Sequence, residues 1–214
     1  MTWTSAFGDA CGKLLRVIVN RMALARISPN LLTFFGLVID TIAAFLFGYA
    51  TADNQARMFF YAGLVIFGAG FFDLVDGRVA RASNQVTRFG AFFDSVVDRY
   101  SDAALFFGLL VYYSRGGRFF YVVLVALAMI SSIMVSYTRA RAESLIGTCK
   151  VGFMERPERL VLLIIGAVFN RMAPVLWVIA VLSTITVAHR IYYTWQQTEL
   201  MDAGGGASPS RSAA

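Results

Sequence analysis

Six runs of apolar residues dominate this chain, near 30–51, 58–76, 89–113, 119–139, 157–172 and 174–195, and each reads as a crossing of a membrane's hydrocarbon core. They predict an all-α fold, a polytopic membrane bundle of six transmembrane helices. Composition agrees: 58% hydrophobic, 14% aromatic and only 15% charged is a membrane balance rather than a soluble one. The 214 residues leave no length for a separate soluble domain, and no internal repeat is visible. The last two runs are parted only by Asn170-Arg171 and Met172-Ala173-Pro174, so their boundary stays open.

Positive charge is shared unevenly among the links. The N-terminal segment holds Lys13, Arg16, Arg21 and Arg26; the second link holds Arg78, Arg81 and Arg88. The fourth holds Arg139, Arg141, Lys150, Arg156 and Arg159, and the C-terminal stretch holds Arg190 and Arg211. That makes fourteen on one side against four on the other, Arg57, Arg115, Arg118 and Arg171. Lys and Arg stay inside, so both termini are expected on the cytoplasmic side of the membrane. The net charge of +6 follows from this bias; it suits anionic lipids and phosphates and requires no nucleic acid.

Residues 1–27 lack a signal peptide's cleavage pattern. Apolar Phe7, Leu14, Leu15, Ile18, Met22 and Leu24 alternate with the basic residues at roughly helical intervals, predicting an amphipathic helix on the cytoplasmic surface; the alternative is a disordered basic leader. Residues 28–197 then form the six-helix domain. Residues 198–214, with Ala203-Gly204-Gly205-Gly206 and Ser208-Pro209-Ser210, are expected to be a flexible cytoplasmic tail. Cys11 and Cys149 both fall on the cytoplasmic side and are expected as free thiols. His189 is the sole histidine, which excludes His-rich metal sites and Ser-His-Asp hydrolysis.

Against this apolar background one interval carries four carboxylates: Asp73-x-x-Asp76-Gly77-x-x-Ala80-Arg81, eight residues, then Gly90-x-x-x-Asp94-x-x-x-Asp98. An ionised group at membrane depth costs about 2.5–3.5 kcal/mol on insertion scales and marks a functional site. Asp73 and Asp76 are three apart, Asp94 and Asp98 four apart, so each pair lies on one helix face. Two such faces turned together make an all-oxygen cage for a hard divalent cation, Mg²⁺ or Mn²⁺. Two cations can be clamped across a phosphate in this way. Gly77 and Gly90 remove a Cβ where backbone approaches a bulky ligand, and Arg81 suits bidentate contact with phosphate. A purely structural chain of ion pairs would need more cations than Arg78, Arg81 and Arg88, which are expected between the helices.

This constellation resembles the signature of the CDP-alcohol phosphatidyltransferases, with every signature position filled, and the resemblance extends over roughly residues 20–195. It implies displacement at the lipid-side phosphorus of a CDP-lipid by an alcohol, with CMP leaving. Carried over residue by residue, Asp73, Asp76 and Asp94 hold metal, while Asp98 both ligates metal and takes the alcohol proton. Ser28-Pro29-Asn30-Leu31-Leu32-Thr33 reads as a helix start, and the same short motif stands at this place in the family. Asn30, Thr33, Gly77, Arg81 and Thr87 are thereby expected around the CDP-lipid, with simple capping as the other reading of Asn30 and Thr33. The resemblance also implies a homodimer.

Three helix ends bring further arginines to the level of the acids: Ser136-Tyr137-Thr138-Arg139, Glu155-Arg156-Pro157-Glu158-Arg159 and His189-Arg190. Convergent arginines are what a phosphorylated acceptor needs. The block resembles that of bacterial phosphatidylinositol-phosphate synthases, which take inositol phosphate as acceptor. It implies Arg139, Arg159 and Arg190 as acceptor-phosphate ligands with Ser136 and Arg156 nearby. Arg139 stands where that pattern has lysine, changing reach and donor geometry. A phosphatidylglycerophosphate synthase, with glycerol 3-phosphate as acceptor, shares the signature and stays open. A cation transporter would place acids on several helices without the phosphate-binding glycines and arginine. Asp40, inside the first run, is left between pairing with an arginine and facing a polar cavity.

Overall fold

The computed structural model describes residues 28–82 and 86–205, excepting the side chains of Leu74, 76–82 and 204–205. Among the described residues the chain is all-helical: α1 Pro29–Tyr49, α2 Gln55–Ala82, α3 Arg88–Arg115, α4 Phe119–Ile146, α5 Arg156–Val168 and α6 Met172–Gly205. Four helices among the described residues are long and apolar enough to cross a membrane: α1, the Gln55–Asp73 part of α2, α4, and Met172–Ala203 of α6. The expected surface helix over 1–27 lies outside the described residues.

Local chemistry sets the helix starts. Ser28, in extended conformation, accepts a hydrogen bond on its hydroxyl from the Leu31 N–H at 3.3 Å, and Pro29 fills the first turn, where a missing N–H costs nothing. Thr87 caps α3 the same way, accepting from the Gly90 N–H at 2.9 Å. At the far end of α4, Gly147 takes φ +80°, a conformation that suits glycine, and donates its N–H to the Glu143 carbonyl at 3.0 Å.

Several helices outrun their expected ends. α2 continues to Ala82 rather than stopping near 76, so Arg78 and Arg81 belong to helical backbone and not to a link. The single Gly77 costs a helix only about 1 kcal/mol, and Arg78-Val79-Ala80-Arg81 contains no breaker. α4 runs on to Ile146, and α6 to Gly205, inside the segment expected as tail. α5 is the opposite case. Its 13 residues give roughly 20 Å at about 1.5 Å per residue, short of the roughly 30 Å hydrocarbon core. Asn170 turns the chain with φ +52°, and the Arg171 N–H donates to the Gly166 carbonyl at 2.7 Å. The open boundary between the last two runs is therefore Phe169–Arg171.

The main helix contacts close a ring in the order α1, α2, α5, α6, α4, α3 and back to α1. Its core holds Phe47 and Phe59 edge to face with centroids 4.9 Å apart, then Phe106, Leu109, Leu163 and Leu176. Polar ties fasten the end remote from the acids. Tyr112 donates its hydroxyl to Gln55 Oε1 at 2.5 Å, Gln55 Nε2 donates to Asn170 Oδ1 at 2.8 Å, and Arg115 donates to the Gly48 carbonyl at 2.7 Å. α1 and α3 touch backbone to backbone, since a Cβ on Gly108 would lie 2.3 Å from the Ala44 carbonyl oxygen. Small residues at such a crossing let apolar helices gain contact where water supplies no driving force.

Gly108→Val is expected to force α1 and α3 apart at a cost of about 1–3 kcal/mol, read as a lower thermal unfolding midpoint in detergent. Gly68→Ala on α2, where an added Cβ meets nothing within 4 Å, is the matched control and should not lower it.

Candidate active site

The acid centre forms where the C-terminal half of α2 faces the N-terminal half of α3. α2 contributes Asp73, and α3 contributes Asp94, Asp98 and Asp102 at four-residue spacing along one face. Asp94 is half-buried and within electrostatic reach of Asp73. Behind Asp73 lies Gly36 of α1, where a Cβ would stand 3.0 Å from Asp73 Oδ1. The absent side chain there makes room for the carboxylate. Asp76 follows Asp73 by one turn of α2 backbone; its side chain, with Gly77 and Arg81, lies outside the described ones.

A guanidinium fills the gap between the two helices. Arg156, first residue of α5, donates Nη1 to Asp73 Oδ2 at 2.5 Å and lies 2.9 Å from Asp98 Oδ1 by the same nitrogen. Its Nε stands 3.6 Å from Asp102 Oδ1. Arginine keeps its charge in any such setting. Asp73 and Asp98 are thus close enough to share one cationic nitrogen, as ligands of a common metal must be.

Two cavities meet at this point. A polar one of about 150 Å³ is lined by Asp98, Asp102, Ser136, Arg139, Glu155, Arg156 and Arg190. An apolar one of about 600 Å³ runs between α2 and α5 along Phe67, Gly70, Phe71, Leu160, Val161 and Ile164, and ends at Asp73, Asp98 and Arg156. Asp98, Arg156 and Pro157 line both.

Of the five residues expected at an acceptor phosphate, the structure brings four to the polar cavity: Ser136, Arg139, Arg156 and Arg190. Glu155 orders two of them, its Oε1 accepting from Arg139 Nη1 at 2.7 Å and from Arg190 Nη2 at 3.0 Å. Arg139 also donates Nε to Glu143 at 3.0 Å. Arg190 is fastened further by the Val151 and Val135 carbonyls, at 2.8 and 2.5 Å. Arg159 is elsewhere. Only 1% exposed, it donates Nη2 to Asp102 at 2.6 Å and Nη1 to the Met154 carbonyl at 3.2 Å, and it does not line the cavity.

At the other edge the starts of α1 and α3 converge. Asn30 Oδ1 would lie 3.3 Å from a Cβ on Gly90, and Thr87 Oγ1 3.0 Å from it, so Gly90 gives both room. The Thr87 hydroxyl serves as the α3 cap, and the buried Thr33 hydroxyl donates to the Pro29 carbonyl at 3.2 Å. Asp40 is 1% exposed with one carboxylate oxygen lacking a hydrogen-bond partner. It forms no ion pair among the described residues, and faces Ser101 within electrostatic reach of Arg156, Asp73 and Asp102. Sequence reasoning passed over Glu155 and Asp102. Asp102 continues the four-residue interval of Asp94 and Asp98, so that interval was the available signal.

The donor set suits a hard divalent cation: carboxylate oxygens from two helices, close enough that a positive nitrogen already bridges two of them. A carboxylate centre at the meeting of a basic cavity and an apolar one suits a phosphotransferase that handles lipid. The chain belongs to the CDP-alcohol phosphatidyltransferase family, whose model matches residues 26–194. It is 36% identical over 187 residues to the archaetidylinositol phosphate synthase of Pyrococcus horikoshii, covering 87% of this chain and 93% of that one. It is 34% identical over 192 residues to the phosphatidylinositol phosphate synthase of Mycobacteroides abscessus, covering 86% and 84%. The crystal structure of the Mycobacterium tuberculosis phosphatidylinositol phosphate synthase with CDP-DAG bound superposes with a TM-score of 0.76 at 29% identity, covering 86% of this chain and 94% of that one. The same enzyme in complex with manganese and citrate gives 0.73 at 29% identity, covering 85% and 88%.

Removing Arg159 should be felt first as lost stability, because it takes the 2.6 Å partner from buried Asp102 and leaves only Arg156 Nε at 3.6 Å among the described residues. Arg159→Ala is expected to cost about 3–5 kcal/mol, read as a fall in the unfolding midpoint. The double change Arg159→Met with Asp102→Leu should recover most of it.

Proposed function

We propose that the chain transfers a phosphatidyl group from CDP-diacylglycerol to inositol phosphate, giving phosphatidylinositol phosphate and CMP. The observation that carries this reading is the junction at Asp98 and Arg156, where a cavity lined by four arginines (Arg99, Arg139, Arg156 and Arg190) and Ser136 meets an apolar groove. A phosphorylated, water-soluble acceptor fits the first and acyl chains fit the second. The names of the relatives and the CDP-DAG held by the mycobacterial structure support the same pairing.

In this reading the acceptor phosphate sits against Arg139 and Arg190, pre-aligned by Glu155, with Ser136 and Arg156 beside it. Arg139 directs Nε and Nη1 to two different carboxylates, a fork that lysine's single ammonium does not reproduce. This is the local context for arginine at that position. The acceptor hydroxyl then lies near Asp98, whose carboxylate takes its proton as the oxygen attacks the lipid-side phosphorus. The phosphorus–oxygen bond to CMP breaks, and CMP leaves with the bonding electrons. Asp73, Asp76, Asp94 and Asp98 hold two divalent cations, Mg²⁺ or Mn²⁺, which when bound neutralise the diphosphate and the departing CMP. Asn30, Thr33, Gly77, Arg81 and Thr87 surround the CDP group, where the N-termini of α1 and α3 direct N–H groups toward phosphate. Arg159 acts behind this surface by fixing Asp102.

The same reading places all six helices in the membrane, α5 as the short one, in a prokaryotic plasma membrane. The acid end and both termini face the cytoplasm, where the soluble acceptor is met, and two chains pair as a homodimer.

The test is CMP release by the purified chain in detergent with CDP-diacylglycerol and Mg²⁺. Release is expected with inositol phosphate, not with glycerol 3-phosphate, and lost when EDTA is added. Asp98→Asn should lower kcat by about 10²-fold or more, the low end of what positioned acid–base catalysis contributes. Release with glycerol 3-phosphate alone would keep the reaction and overturn the acceptor.

A further inference from the structure

Three of the four arginines that line the polar cavity, Arg139, Arg156 and Arg190, are held in different ways. Arg190 has three partners, two of them carbonyls, and Arg139 is clasped between two glutamates. Among the described residues Arg156 has only the acid centre: its Nη1 bridges Asp73 and Asp98, and its buried Nε has no hydrogen-bond partner there. It is the cation that compensates carboxylates assigned above to metal.

We propose that Arg156 is the internal counter-ion of the acid centre and that it changes partners when a divalent cation binds. It yields Asp73 and Asp98, and carries its guanidinium to the phosphate in the adjoining cavity. Three features support this. The oxygens it occupies are the ones a cation at about 2.0–2.2 Å would need, and a guanidinium cannot share them with a second positive charge. Arg156 already lines both cavities, so turning its side chain suffices and α5 need not move. Asp102 keeps Arg159 at 2.6 Å when Arg156 departs, so no buried carboxylate is stranded on that side. Metal loading and phosphate capture then assist each other, and such coupling is reciprocal. The phosphate's identity rests on the function proposed above; the competition between Arg156 and metal does not.

The experiment is a titration of the full-length protein in detergent with Mn²⁺, following free Mn²⁺ by electron paramagnetic resonance, without lipid substrate. Arg156→Gln and Arg156→Met, shown folded by unfolding midpoint and gel filtration, are expected to bind Mn²⁺ on the order of fivefold or more tighter than wild type, the low end of usual couplings. Inositol phosphate should tighten Mn²⁺ binding to wild type and do so far less in the variants. Binding equal to or weaker than wild type would overturn the proposal, making Arg156 a residue that orients the acids rather than one that competes for them. If neither variant folds, the wild-type titration decides, run with inorganic phosphate as well as inositol phosphate: Mn²⁺ affinity left unchanged by both overturns it. Failure of CMP release with tighter Mn²⁺ binding in the variants would remove the proposed acceptor and leave this inference standing.

Discussion

Carboxylates from three helices, Asp40 on α1, Asp73 on α2 and Asp94, Asp98 and Asp102 on α3, gather at one end of a bundle that is otherwise apolar. Their mutual repulsion, strengthened by low dielectric, is the constraint that the surrounding structure answers. α5 brings Arg156 and Arg159 to it from its first turn, and the ring of helices closes by placing α5 between α2 and α6. Gly36 supplies the space that lets Asp73 turn inward. Much of the polar structure at this end thus follows from holding negative charge where lipid-like surroundings resist it.

The cations that answer this charge divide by how firmly they are fixed. Arg159 and Asp102 form a buried pair whose role is shape, since breaking it leaves a bare charge inside the bundle. Arg139 and Arg190 share the carboxylate of Glu155, an anion inside a basic cavity, which aligns them in advance of any ligand. Preorganised donors lose less freedom on binding. Among the described arginines it is Arg156 that touches the acids and lines both cavities, which makes it the point where metal and phosphate electrostatics touch.

How much of this was legible beforehand depends on whether the signal was local. The three- and four-residue intervals of Asp73, Asp76, Asp94 and Asp98 announced two helix faces, and helical backbone carries them there. Ser28-Pro29 announced its helix start because a cap is a short-range event. The shortness of α5 was hidden: Phe169-Asn170-Arg171 contains neither proline nor glycine, and the turn depends on Asn170 adopting a left-handed backbone. The extension of α2 to Ala82 was hidden for the converse reason, since the apolar run stops near 76 while the helical backbone passes on through Gly77. The partner of Arg159 was illegible in principle, because Asp102 lies 57 residues away and only tertiary packing joins them.

The groove between α2 and α5 has a kinetic meaning of its own. It is walled by α2 and α5, neighbours in the ring, whereas the basic cavity lies among residues of α3, α4, α5 and α6. In the reading proposed above, a donor dissolved in the bilayer enters between α2 and α5 without its chains passing through water. Occupancy on that side is set by the mole fraction of donor in the membrane, and on the other by a concentration in solution. Diluting the bilayer with inert lipid should therefore slow the reaction at constant bulk donor. The enzyme samples one substrate in two dimensions and the other in three.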